Sequence, residues 1–243
     1  MNILLSNDDG YNSTGLKSLG SSLDNYGSVF VVAPHRDISA SSSCLSVHSP
    51  VKVLKISKNS YKVYGTPADC VHIATRGILK KYPDIVFSGL NFGSNMGDDV
   101  IYSGTVGAAV EGRHARYGSY AISIASKNPQ YTSDLDLKVK LVLDLVFSKL
   151  KTYKAIFNIN IPDLPASRIK GIKISTLGTR KISKRAKKSI NTKNIKYEIG
   201  DVGSGLLTKG SDFYYVHHGY ISVTPIMIDM CNKLLLAKLK LKI

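Results

Sequence analysis

The sequence predicts an α/β fold, a mostly parallel sheet with helices on both faces and a C-terminal extension rich in β-hairpins. Three observations carry that prediction. Short apolar runs alternate with helically spaced ones through the first 160 residues or so. The polar loops collect just after the apolar runs, at what would be one rim of a sheet. After Pro165 the alternation gives way to β-branched and aromatic stretches around a basic segment.

Taken in order, Ile3-Leu4-Leu5 is a strand, and Leu16, Leu19 and Leu23 mark one helix face. A second strand covers residues 29–33, and Val71, Ala74, Ile78 and Leu79 indicate another helix. "DIVFSG" is a strand, residues 105–114 a helix, "YAISIA" a strand, residues 135–150 a long amphipathic helix, and "KAIFNINI" the closing strand. Strands alternating with helices imply βαβ units with right-handed crossovers. Residues 1–165 are therefore expected to form the core and 166–243 an extension packed on it. In the extension, "GIKISTLG" and "DFYYVHHGYISVTPI" read as extended or hairpin structure, ahead of a short helix over 230–241.

Composition narrows the function classes. The chain has 243 residues, 43% of them hydrophobic, enough for a sizeable core. No apolar run is long enough to span a membrane. The apolar start stops at Ser6-Asn7-Asp8 and lacks the basic lead of a secretory signal. Cys44, Cys70 and Cys231 are scattered without CxxC pairing, which argues against a disulfide framework or zinc cluster and suits a reducing cytoplasm. The formal charge is +16, and no acid occurs from Leu164 to Tyr197. "TRKISKRAKKSINTKNIK" alone holds eight basic residues, a solvated arm by default and an anion-attracting one otherwise. Specific nucleic-acid recognition finds no interleaved aromatics or helix-turn-helix pattern to support it.

In an open parallel sheet the binding crevice lies beyond the carboxyl ends of the strands. Strand one ends there in Asn7-Asp8-Asp9-Gly10. Turn chemistry accounts for Asn, Asp and Gly but not for two adjacent carboxylates. Neighbouring strand residues point to opposite faces, so Asp8 and Asp9 converge on one ion only from the turn past the strand end. Two carboxylates with neutral oxygens suit a hard divalent cation such as Mg²⁺ or Mn²⁺. The later rim loops offer Ser39, Ser41, Ser42, Asn91 and Asn95 as further ligands, and composition does not choose among them.

Ser103-Gly104-Thr105 precedes a helix of small residues. A helix start with hydroxyls suits a phosphate, although N-capping explains the same residues. Thr66-Pro67-Ala68-Asp69 is a capping box with its preferred proline. Gly89, Gly93 and Gly97 fit neither a dinucleotide fingerprint nor a P-loop, and there is no G-x-S-x-G elbow. His217-His218 has no partner carboxylate at metal spacing and reads, among aromatic residues, as packing or a pocket rim, while His35 and His114 fall near the crevice and read as incidental.

The blocks "NILLSNDDGYNSTGL", "VVAPHRDISASSS", "YGTPADCVH", "DIVFSGLNFGSNMGDDVIYSGTVGAAVEG", "NINIPDLP" and "GYISVTP" resemble, in order and over nearly the whole chain, the stationary-phase survival protein (SurE) family. The resemblance implies a Rossmann-like core whose extension exchanges segments in homodimers or homotetramers. It implies a metal-dependent phosphatase acting on nucleoside 5′- and often 3′-monophosphates, and sometimes on short polyphosphate. Position by position it selects Asp8, Asp9, Ser39 and Asn91 as ligands of one divalent metal ion (Mg²⁺ or Mn²⁺) per subunit, with Asp8 and Asp9 catalytic. It assigns Asn95, Ser103, Gly104 and Thr105 to the phosphate surroundings. His35 and Ile38 depart from the acid and the base usual at those places, and "RYGSYAIS" lacks the family's proline.

The expected reaction is metal-assisted attack of water on a phosphate monoester, with Asp8 or Asp9 able to take the proton. A phosphoaspartate route as in haloacid-dehalogenase-like enzymes needs acids two residues apart, whereas these are adjacent. The alternative of another class is a non-enzymatic anion or nucleic-acid binder driven by the basic surface.

Overall fold

A computed structural model describes residues 1–191, 194–200 and 202–240. The strands are β1 (Asn2–Ser6), β2 (Ser28–Pro34), β3 (Val53–Ser57), β4 (Ser60–Val63), β5 (Ile85–Phe92), β6 (Ser119–Ile124), β7 (Ile156–Ile161), β8 (Ile172–Ile174), β9 (Lys187–Asn191), β10 (Asn194–Glu198) and β11 (Ile221–Ile226). The helices are α1 (Thr14–Leu23), α2 (Pro67–Ile73), α3 (Gly104–Glu111), α4 (Leu135–Ser148), α5 (Asp212–His217) and α6 (Lys233–Lys240).

Nine strands form one sheet in the order β3-β4-β2-β1-β5-β6-β7-β11-β8. β3 runs antiparallel to β4, and β11 to β7; the other pairings are parallel. β9 and β10 make a separate antiparallel hairpin in the basic segment. The α/β expectation holds, and the extension lends β8 and β11 to the main sheet.

The pleat sends alternate residues to opposite faces. Ile3 and Leu5 meet α1 and α4 through Leu16, Leu19, Val139 and Val142, while Leu4 meets α2 and α3 through Val71 and Ala108. Fully burying each such side chain contributes about 1.5–3 kcal/mol, so this three-layer core holds the strand ends rigid. Caps set where helices begin. The Oγ of Ser13 accepts from the Leu16 amide ahead of α1. Thr66 and Asp69 form the expected capping box, with Pro67 at the first turn of α2. The chain then closes through a π-helical turn (Ala74–Ile78), so Ile78 lies past α2.

The stretch "DFYYVH" is helical, against the extended expectation. Ser211 caps it, its Oγ accepting from the Tyr214 amide at 3.2 Å, and Gly219 (φ +85°) ends it. Cap and stop override the strand preference of Tyr and Val. The β3–β4 hairpin is an element that sequence reasoning did not propose. Among the described residues no helix is long and apolar enough to cross a membrane.

Candidate active site

β1 and β5 lie side by side at the centre of the sheet, and the chain leaves them in opposite directions: β2 and β4 extend one way, β6 and β7 the other. Their carboxyl ends open the crevice. Asn7 braces the turn beyond β1. It is fully buried, and its amide donates to the Gly10 carbonyl at 3.0 Å and to Ser13 Oγ at 2.8 Å, locking the turn to the start of α1. Gly10 sits at φ +94°, where a Cβ would come within 2.7 Å of the Arg36 backbone. Only glycine lets the chain pass there.

Asp8 is 4% exposed. Its Oδ1 accepts from the Thr105 hydroxyl at 2.5 Å and its Oδ2 from the Thr105 amide at 3.1 Å. Asp9 is less buried, and its Oδ2 accepts from the Phe92 amide at 3.1 Å. Burial raises both carboxyls above the ordinary range. Asp9 is pushed up to about 6 by burial and then by the Asp8 charge, and Asp37 acts the same way on both. The charges that raise the pair, Asp8 on Asp9 and Asp37 on both, are thus carboxylates. Like charges close together repel, and a cation between these acids would relieve that.

The two loops named in the sequence reach this pair through the backbone. The amide of Ile38 donates to the Asp8 carbonyl at 2.9 Å, bringing the adjacent Ser39 to the rim. Ser39 is exposed, and its amide and hydroxyl both donate to Asp37 Oδ1, at 2.8 and 2.6 Å, leaving the hydroxyl's lone pairs available. Asn91 neighbours Phe92, the residue tied to Asp9. A register shift between Ser88 and Asn91 bulges β5 against β6, and bulges re-aim side chains. The Asn91 amide nitrogen donates to the Gly93 carbonyl at 2.7 Å, and among the described residues nothing donates to its Oδ1.

The phosphate-assigned residues divide. Ser103 caps α3, its Oγ accepting from the Val106 amide at 3.0 Å. Thr105 is fully buried with its hydroxyl and amide committed to Asp8. Gly104 lies between them, against Asp8, Pro67 and Ser41. Ser41 Oγ is itself buried without a partner. Asn95 is 8% exposed: its side chain donates to Ser123 Oγ at 2.7 Å, its amide to Asn160 Oδ1 at 2.9 Å, and its carbonyl accepts from Asn158 and Asn160. Asp37, Ser123, Asn158 and Asn160 are contributors that sequence reasoning missed, while Asn7 has the turn role read for it. Only Asp37 left a local signal, as an Asp two residues before a Ser that its carboxylate caps.

Among the described residues no three His, Cys, Asp or Glu side chains gather as a metal cluster. The donor set is two carboxylates with a hydroxyl and an amide oxygen nearby. All are oxygens, two of them from carboxylates, so the set fits a hard divalent ion rather than a soft one.

A family model described as Survival protein SurE matches residues 3–184. The chain belongs to the SurE family. It is 44% identical over 241 residues to "5′-nucleotidase SurE" of Actinobacillus pleuropneumoniae, an alignment covering 95% of each chain. The Legionella pneumophila protein of the same name is 41% identical over 235 residues, covering 96% of this chain and 93% of that one. The crystal structure of the SurE protein from Aquifex aeolicus superposes with a TM-score of 0.84 at 38% identity, covering 99% of this chain and 98% of that one. The SurE match takes in all eight residues named above for metal and phosphate, and the superposition spans the extension as well.

Proposed function

We propose that this SurE-family chain is a 5′-nucleotidase, hydrolysing nucleoside 5′-monophosphates to nucleoside and phosphate with one bound Mg²⁺ or Mn²⁺ per subunit. The observation that carries this reading is the Asp8–Asp9 pair. Both acids are raised by burial, Asp9 also by the Asp8 charge, with Ser39 and Asn91 brought near them by the Ile38 and Phe92 amides. The similarity to proteins named 5′-nucleotidase SurE supports the substrate class. The 3′-monophosphates and short polyphosphate present the same phosphoryl group and belong to the same reading.

Asp8, Asp9, Ser39 Oγ and Asn91 Oδ1 would hold the ion. When bound, it acidifies water and neutralises charge developing on the phosphoryl oxygens. Thr105 fixes the Asp8 carboxylate through two hydrogen bonds, an outer contact that orients a ligand. Asp9 Oδ1 has no donor among the described residues, so it is the oxygen placed to take a proton from the attacking water. The free end of α3 at Gly104, with the Ser103 hydroxyl proton, would meet the phosphate, and Asn95, held by Ser123, Asn158 and Asn160, belongs to its surroundings in this reading. Helix starts attract such anions.

We also take residues 166–243 as the oligomerisation extension of a homodimer or homotetramer. Met227, Met230, Leu234 and Leu235 are more than half exposed on its last elements, which supports apolar contact with a second copy. The three free thiols suit a cytoplasmic setting.

The test is phosphate release from AMP by purified protein with Mn²⁺, with and without chelator, beside Asp8→Asn. Metal-dependent release lost in the folded variant is the expected result. Release indifferent to both would overturn the mechanism.

A further inference from the structure

We infer that Asp212 is a positioning residue for the reaction, its carboxylate reaching in from the segment after β7 to hold the loop that carries Asn95 and leads into residues 103–105. The inference rests on the nucleotidase reading.

The loop from Gly93 to Ser103 is fixed at its ends by β5 and α3, and its middle needs an anchor. The Gly97 amide donates to Asp212 Oδ2 at 2.7 Å. Oδ1 of the same carboxylate accepts from the Gly178 amide at 2.9 Å and from the Phe213 amide at 2.8 Å. Asp212 is 0% exposed, and three backbone donors from three segments satisfy it. Hydrogen bonds to a buried charge are each worth about 1.5–3 kcal/mol, enough to keep a loop in one conformation.

Two neighbours reinforce the anchor. Phe213 packs with Met96 and Val216, and its ring leaves no room for a Cβ on Gly97, Gly178 or Gly205. Arg180 lies over that ring at 4.8 Å, its amide donates to Asp98 Oδ1 at 3.1 Å, and its guanidinium pairs with Asp99. The loop is thus gripped from the extension at Gly97, Asp98 and Asp99, and from the core at Asn95 by Asn158, Asn160 and Ser123. None of these contacts touches Asp8, Asp9 or Ser39. The start of α3, where Thr105 holds Asp8, has its own anchors in the Ser103 cap and in Ser42, which bonds the Ile101 and Tyr102 carbonyls. Asp212 therefore bears on the Asn95 part of the loop more than on the metal side, and a misplacement of about 1 Å there costs on the order of 100-fold in rate.

Asp212→Asn keeps the size of the side chain but replaces one acceptor with an amide facing a backbone N–H. In the full chain with Mn²⁺, the affinity for inorganic phosphate and kcat/KM for AMP are each expected to fall at least tenfold. The affinity for Mn²⁺ alone should stay within about twofold. Loss of fold stability by itself would not split phosphate from metal in this way. Asp84→Asn is the control, since Asp84 takes the Asn2 amide at 2.7 Å at the opposite end of the sheet. It should leave all three quantities unchanged, and an equal loss there would overturn the assignment.

A folded Asp212→Asn with wild-type phosphate affinity and kcat/KM would also overturn it. If that variant does not fold, Arg180→Gln decides by the same readouts, a loss of threefold or more supporting the role and no change contradicting it. Wild-type protein that releases no phosphate would defeat the nucleotidase reading separately, and phosphate binding would still report on the clamp.

Discussion

Thr105 holds both oxygens of Asp8, its hydroxyl reaching Oδ1 at 2.5 Å and its amide reaching Oδ2 at 3.1 Å. A residue at a helix start, where a phosphate contact is the obvious assignment, here orients a carboxylate. Thr105→Val keeps the shape and removes the hydroxyl bond, while Thr105→Ser keeps the bond. Partners of this kind are typically worth 10–100-fold in metal affinity or activity. Titrating activity with Mn²⁺ should show Thr105→Val in that range and Thr105→Ser close to wild type.

The raised Asp9 carboxyl makes a prediction about the metal-free protein. Its value is about 6 in the fold against 3.8 ordinarily. Between those values the folded chain binds more protons at this group than the unfolded chain does. Stability from this group is therefore present at low pH, is lost as pH rises from about 4 to 6, and stays lost above. Asp9→Asn should consequently melt higher than wild type in EDTA at pH 7.5, with the gap closing towards pH 4. Added Mn²⁺ should reverse the order, because it stabilises the form that binds it. Thermal unfolding at three pH values reads all of this.

Gly104 has almost no space on the side facing the site. A Cβ there would lie 2.8 Å from Ser41 Oγ, 3.0 Å from Asp8 Cβ and 3.1 Å from Pro67 Cγ. Gly104→Ala must move the Ser41 hydroxyl and press on Asp8 and on Pro67. The expected outcome is a kcat/KM for AMP lower by an order of magnitude or more, with little change in the urea midpoint, since the strain falls on the rim and not on the core.

Asn160 makes two reciprocal bonds to the backbone of Asn95, both at 2.9 Å. Asn160→Leu would leave the buried Asn95 amide unpaired, a loss of about 1–3 kcal/mol. Urea unfolding should show that loss as a lower midpoint at unchanged slope.

Much of the fold was legible because it is written locally. Ile3 to Leu5, the 16-19-23 spacing and the Thr66–Asp69 box each declare an element within a few residues. "DFYYVH" misleads because Tyr and Val favour strands, while the deciding features are the Ser211 cap and the Gly219 stop. The site was half legible. Asp8 and Asp9 stand out as adjacent acids after a strand. The bonds that bring Ser39 and Asn91 to them run from Ile38 and Phe92, and the Asp9–Phe92 bond spans 83 residues. Such contacts leave no periodic trace, so the choice among the rim serines and asparagines came from family resemblance. Asp212 is further still in the chain and reads, in sequence, as an ordinary acid.

The most direct measurement is calorimetric titration of Mn²⁺ into the EDTA-stripped, dialysed protein and into Asp9→Asn, with phosphate release from AMP followed on the same samples. The account predicts one ion bound per wild-type chain with release of protons, activity that returns in step with that binding, and neither in the variant. Full activity in the stripped protein, or Mn²⁺ binding unaffected by Asp9→Asn, would contradict it.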